Sequence, residues 1–200
     1  MKKIAIIAFL LAASAVTVRA QESRQDVSLS GFGLIEPYRN TSTTVHVHDT
    51  TAYGALASYR FMLTPSSAVE ANYGITYQNS ITFYTNPNTY HVATRNQELS
   101  AAYVRSFTFR KFNPFVEAGP GALIFMPIRN SGTTILDAKR QTSVGFIYGA
   151  GIAYEISPSF DIRAEYRAFV TKVPNFGLSE LSTNRWYNIY TPTVGVAYHF

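Results

Sequence analysis

The stretch TPTVGVAYHF, residues Thr191 to Phe200, alternates two kinds of side chain. Counting back from Phe200, Tyr198, Val196 and Val194 are apolar, while His199, Ala197, Gly195 and Thr193 between them are small or polar. Successive residues of a strand point to opposite faces. The stretch therefore reads as a strand with one face suited to lipid and the other suited to a crowded, more polar interior.

Working outward, the same alternation recurs at Asp26 to Glu36, Ala52 to Met62, Ala68 to Gln78, Asn96 to Phe109, Pro114 to Met126, Thr142 to Glu155, Phe160 to Val170 and Asn188 to Phe200. Each segment is long enough to cross a bilayer core at a tilt, which takes about 9 to 11 residues. Past residue 20 no run of about 18 apolar residues occurs, so no membrane helix is predicted. A chain that spans lipid without a helix must close into a barrel, because every backbone amide has to be paired internally. The predicted fold is all-β: an eight-stranded antiparallel transmembrane β-barrel, an up-and-down meander occupying one domain, residues 21–200.

The connections fall into two classes. Three are tight, at Leu63 to Ser67, Arg110 to Asn113 and Ile156 to Ser159. In the first and third, Pro presets the backbone angle and neighbouring Ser or Thr can bond the local backbone. Four are long, near Pro37 to Thr51, Asn79 to Arg95, Pro127 to Gln141 and Thr171 to Tyr187. Short and long alternate strictly, so all the short ones belong to one rim and all the long ones to the other. Outer-membrane barrels show this asymmetry, with short turns inside and long loops outside.

At the amino end, Met1-Lys2-Lys3 is a short basic region, Ile4 to Val18 is an apolar stretch, and Val18-Arg19-Ala20 offers small residues for a signal peptidase. Residues 1–20 are expected to be a cleaved secretory signal. The leader removes Lys2, Lys3 and Arg19 from seventeen basic residues and nothing from twelve acids, so the formal charge falls from +5 to +2. The remaining basic residues are scattered, and no nucleic-acid partner is expected. There is no Cys, hence no disulfide framework and no lipid-anchored amino terminus.

Two interior segments carry a family likeness. They are Phe112-Asn-Pro-Phe-Val-Glu-Ala-Gly-Pro-Gly-Ala122 and the run from Val144 through Gly149-Ala-Gly151 and the Ser157-Pro-Ser turn to Glu165-Tyr-Arg167. With the last strand, they resemble the OmpA/OmpX-like outer-membrane β-barrel superfamily. The resemblance implies an outer-membrane location in a Gram-negative bacterium, reached through the general secretory route. It also implies an assembly signal in Val194, Val196, Tyr198 and Phe200, with periplasmic chaperones and the barrel-assembly machinery as partners. Outer-membrane lipids and lipopolysaccharide are the expected surroundings, and a monomer without cofactor the expected state.

Parity then sorts the faces. In the seventh strand Ile162, Ala164, Tyr166 and Ala168 share one face and Asp161, Arg163, Glu165 and Arg167 the other. A charge facing lipid costs about 2 to 4 kcal/mol near the midplane, so the charged face must point inward. The same test places Glu70 and Glu155 inside, and less firmly Arg60, Glu98 and Glu117, since a bulge flips the face. Gly145, Gly149, Gly151 and Gly195 also face inward, and either leave voids or make room for arginine side chains. An eight-stranded barrel is just wide enough for side chains to fill it. Confined opposite charges there are expected to pair into a plug; the alternative is a small porin or gated ion path, for which the excess of acids speaks. Aromatic girdles are expected at the short-turn rim from Phe61, Phe107, Phe109, Phe112, Phe160, Tyr198 and Phe200. At the other rim Tyr53, Trp186, Tyr187 and Tyr190 are expected to do the same.

Chemistry-bearing residues are few. His46 and His48 alternate in Val45-His-Val-His-Asp49 and would share one face of an extended segment, making His46, His48 and Asp49 a weak metal candidate. Two imidazoles do not close a site. No Ser and His stand at a spacing that suggests a nucleophile and base, so no catalytic residue is assigned and no enzyme is expected. The long loops, with Arg129, Lys139, Arg140, Lys172 and Arg185, are the expected seat of a structural, adhesive or surface-interaction role.

Overall fold

A computed structural model of the protein describes residues 24–36, 39–40, 45–49, 51–77, 79–85, 88–128, 139–178 and 185–200. The expected leader and Arg129 lie outside these residues. Among the described residues, eleven strands form one antiparallel sheet: β1 (Gln25–Leu34), β2 (Arg39–Asn40), β3 (Val45–Asp49), β4 (Ala52–Thr64), β5 (Ser67–Thr76), β6 (Asn79–Thr85), β7 (Asn88–Ser106), β8 (Phe112–Pro127), β9 (Gln141–Ser157), β10 (Phe160–Lys172) and β11 (Trp186–His199). Eight of them pair in chain order, β1 with β4, then β5, β7, β8, β9, β10 and β11. The last strand returns to the first, from Asp26 opposite His199 to Phe32 opposite Thr193, and closes the barrel. The eight-stranded meander expected from alternation is the fold observed.

The first two long connections differ from the expectation of loops. β6 and the first residues of β7 form a hairpin in register from Asn79↔Thr94 to Thr85↔Asn88. β3, from the first connection, adds to its free side, with Val45↔Thr85 through Asp49↔Ile81, and β2 adds to β3. β7 is thus 19 residues long, about twice what the bilayer requires. Its lower part, from Gln97 to Arg105, pairs with β5 inside the barrel, and its upper part carries a small external sheet. The pairing is possible because both segments alternate and contain β-favouring Thr, Val, Ile, Tyr and Phe.

The outer surface is apolar across its width. Leu29, Val69, Tyr73, Leu99, Tyr103, Val116, Val144, Phe146, Ile152, Ile162, Val194 and Val196 are all exposed, as a lipid-facing band requires. Ala168 keeps the outward parity but is buried, standing in register between Tyr148 and Tyr190. Replacing Val194, which is 62% exposed near the middle of β11, by Arg is expected to destabilise the barrel by about 2–4 kcal/mol. The same change at Tyr198, close to the rim, is expected to cost only about 0–1 kcal/mol. Urea unfolding from phospholipid vesicles measures both, and equal costs would mean that this face does not span lipid.

Candidate functional site

The lumen is built in two layers. Towards the short turns it is ionic. Arg60 on β4 stands directly opposite Glu70 on β5; its Nε and Nη2 both lie 2.6 Å from Glu70 Oε2, and its guanidinium covers the Phe115 ring at 4.9 Å. Arg163 donates both Nη groups to Asp26, at 3.0 and 2.8 Å, and passes within 3.8 Å of Asp161. His199 Nε2 lies 2.8 Å from Asp161 Oδ2. Arg167 donates to Glu98 at 2.8 Å and to Glu117 at 3.0 Å, with Glu165 at 3.4 Å. The guanidiniums and most of the acids in these pairs are almost wholly buried, so each charge depends on its partner.

The inward glycines explain how such bulk fits. Gly149 lies in one lateral row between Glu117 on β8 and Arg167 on β10. A Cβ there would come within 3.2 Å of Glu117 Oε1, in the gap that this ion pair bridges. The other glycines make room chiefly for rings and close backbone. A Cβ on Gly151 would fall 2.5 Å from Phe115, and one on Gly121 would fall 2.8 Å from Phe169. Gly121 and Gly145 face each other across β8 and β9, and both lie against the Phe169 ring.

Towards the long loops the lumen turns apolar. Phe32, Leu34, Leu56, Leu123, Phe125, Ile147, Phe169 and Ile189 form one buried cluster. Ile81 and Val92 of the external sheet join it from above. Phe176, from the connection after β10, is fully buried in the same cluster and meets Phe125 edge-on at 6.4 Å. Its inward position is fixed locally. Gln141 Oε1 accepts the N–H groups of Asn175 and Phe176 at 2.9 and 2.7 Å. Lys139 N–H donates to the Phe176 carbonyl at 3.0 Å. Phe176 and Gly177 both take left-handed backbone angles, φ 52° and 84°, turning the chain back out of the mouth.

Among the described residues, cavities border both layers. One of about 20 Å³, roughly a single water site, lies under the apolar cluster beside Glu98, Leu123 and Phe169. The other, of about 200 Å³, opens at the short-turn end beside Arg60, Arg110, Glu155, Asp161, Arg163 and His199.

Among the residues singled out by parity, Arg60, Glu70, Glu98, Glu117, Asp161, Arg163, Glu165 and Arg167 meet in the ionic layer. Glu155 faces inward but borders the lower cavity, half-buried and with no ion pair among the described residues. Asp26 belongs to the layer and was missed, because Gly31 and Gly33 blur the alternation of β1. Continuing the parity from Arg167 to Phe169, and from Glu117 to Leu123 and Phe125, would have disclosed the apolar layer. Tyr187 leaves the girdle expected of it: it is buried inside, in the row of Thr171. Phe61, Phe107, Phe109, Phe112, Phe160 and Tyr198 are exposed at the short-turn end, and Tyr53 and Trp186 at the other. Phe200 and Tyr190 are partly covered.

The register separates the metal candidates. His46 and His48 lie on one face of β3, and Asp49 on the other, in the row of Ile81 and Val92. The side chains of all three lie outside the description. Among the described residues no three His, Asp or Glu side chains gather as metal ligands. Exposed cations do collect at the long-loop end: Arg95, Lys139, Arg140, Lys172 and Arg185. Lys172 lies over Trp186 at 5.7 Å.

A closed meander with an apolar outside and a filled, charge-paired inside defines a small integral barrel of the outer-membrane kind. The chain belongs to the outer membrane protein beta-barrel domain family, whose model matches residues 5–200. Its fold is similar to that of neisserial surface protein A, at 14% identity and a TM-score of 0.59, covering 89% of this chain and 98% of that one. It is similar also to OprG from Pseudomonas aeruginosa, at 11% identity and 0.58, over 90% and 98% of the two chains. A third likeness is to Ail, the attachment invasion locus protein of Yersinia pestis, in complex with the heparin analogue sucrose octasulfate, at 15% and 0.50, over 88% and 99%. No curated protein matches the chain.

Proposed function

We propose that this protein is a non-conducting outer-membrane barrel that acts through its external end, as a structural, adhesive or surface-interaction element. One observation carries the reading: the lumen is filled at two successive levels, by buried ion pairs below and by a cluster roofed with Phe176 above. A hydrated ion would have to disrupt both. The external end supplies what an interaction surface needs, a sheet raised above the rim and exposed cations at Arg95, Lys139, Arg140, Lys172 and Arg185. These suit a polyanion, whether the phosphates of lipopolysaccharide or a sulfated glycan of the kind bound in the Ail complex.

Planar-bilayer recording on the folded, detergent-purified protein tests the reading. The expected result is no reproducible unitary conductance. Conductance steps in the wild type that shrink or vanish in Glu117→Gln would overturn it and favour the second reading, a small gated channel. That reading rests on the charge balance around Arg167, which faces three acids, Glu98, Glu117 and Glu165.

A further inference from the structure

We propose that the outer face of the barrel binds one anionic phospholipid at the short-turn end of β7 and β8, with its phosphate on Arg105. Arg105 keeps the lipid-facing parity of Leu99, Ala101 and Tyr103, and like them it is exposed. Among the described residues it is the one ionised side chain with that parity in the short-turn half of the barrel strands. Phe107, Phe109 and Phe112, exposed in the turn that follows, lie further from the midplane, so Arg105 stands on the hydrocarbon side of the aromatic girdle. An arginine on that face is costly in proportion to its depth. The usual relief is a side chain extended towards water. Arg105 does otherwise: its Nη1 donates to Ser67 Oγ at 2.7 Å, and Tyr103 OH donates to the same oxygen at 2.9 Å. These bonds hold the guanidinium against the sheet, and among the described residues no acid pairs with it.

The anion available at that depth is a lipid phosphate. A guanidinium presents paired N–H donors that match phosphate oxygens, and with Nη1 engaged by Ser67 the edge formed by Nε and Nη2 remains for them. The surface above Arg105 fits the rest of such a molecule. Val116, in register with Arg105, begins an outward face of β8 that continues through the small side chains Ala118, Pro120 and Ala122. Taller neighbours wall this face on both sides: Tyr103 and Tyr148 flank Ala118, and Leu99 and Val144 flank Ala122. From Val116 to Ala122 the trough runs about 20 Å along the strand. A strand tilt of about 35–45° leaves about 15 Å of that across the membrane, the depth of one leaflet of a core about 30 Å thick. One acyl chain laid in the trough starts at Arg105 and ends at the midplane. A headgroup with net negative charge is favoured over a zwitterionic one, whose own cation already faces its phosphate.

Native mass spectrometry of the folded protein in detergent, titrated with dioleoyl phosphatidylglycerol or dioleoyl phosphatidylcholine, tests the site. One phosphatidylglycerol per chain is expected to bind at least about fivefold more tightly than phosphatidylcholine, the factor that one basic residue at a membrane surface is worth. Arg105→Gln should erase this preference. Arg24→Gln should keep it, since Arg24 is exposed at the same end but precedes β1, across the barrel from β7 and β8. Ala118→Phe fills the trough and should weaken retention of phosphatidylglycerol by a similar factor with Arg105 intact. Folding of each variant is checked by heat-modifiable gel migration, and Arg105→Met replaces Arg105→Gln if the latter does not fold. Equal binding of the two lipids by the wild type overturns the proposal, as does a preference that survives the loss of Arg105. A preference that falls as far in Arg24→Gln overturns it too, because the general charge of this rim would then account for the binding. Unchanged retention in Ala118→Phe overturns the seat of the acyl chain.

Discussion

Arg167→Met is expected to destabilise the folded barrel by about 3–5 kcal/mol, the usual cost of removing one partner from a buried ion pair. Arg167 is the hub of its layer, bonded to Glu98 and Glu117 and 3.4 Å from Glu165. Without it three acids share a narrow space and lose the cation they bond, and the loss comes from their stranded charge more than from the bonds themselves. Adding Glu117→Gln and Glu165→Gln to Arg167→Met should therefore recover part of the stability, although two more native groups have gone. Urea unfolding from vesicles, followed by heat-modifiable migration, measures all of these. A loss below about 1 kcal/mol, the range of a solvated surface pair, would mean that water bathes the layer, and the non-conducting reading would fall with it.

Phe169→Ala is expected to cost about 3–5 kcal/mol, as do other truncations of buried phenylalanines. The ring is 3% exposed and rests on Gly121 and Gly145. This arrangement makes the effect diagnostic. Gly121→Ala alone should also destabilise, by about 1–3 kcal/mol through overpacking, because its Cβ would meet Phe169 at 2.8 Å and Ser100 at 2.9 Å. In the Phe169→Ala background the same substitution loses its main clash. The two costs should then fall short of additive by at least about 0.5 kcal/mol, the coupling expected of residues in contact. Strict additivity in a double-mutant cycle would show that the glycine does not serve the ring.

Much of this fold can be read in the sequence because lipid imposes a strict rule. A strand facing hydrocarbon on one side must alternate, and one charged residue in the wrong phase is costly; β10 and β9 are legible for that reason. β1 was not, since Gly31 and Gly33 carry no side-chain information, and Asp26 was lost with it. The upper lumen was missed for a different reason. Apolar residues on an inner face, such as Phe169, Leu123 and Phe125, look the same in sequence as those facing lipid, and only the phase carried up from Arg167 and Glu117 tells them apart. The external strands β2, β3 and β6 obey no membrane rule. Their pairing depends on two connections meeting in space, which local composition does not report.

The length of β7 has a mechanical meaning. Its outer residues, Asn88 to Ala93, continue without a break from the part that crosses the membrane, so the tilt set by the barrel passes directly to the sheet outside. Six residues at about 3.3 Å each hold that platform on the order of 20 Å along the strand beyond the rim. Whatever approaches this end of the barrel therefore meets His91 and Tyr84 at a fixed height and angle, as on a mast stepped in the bilayer.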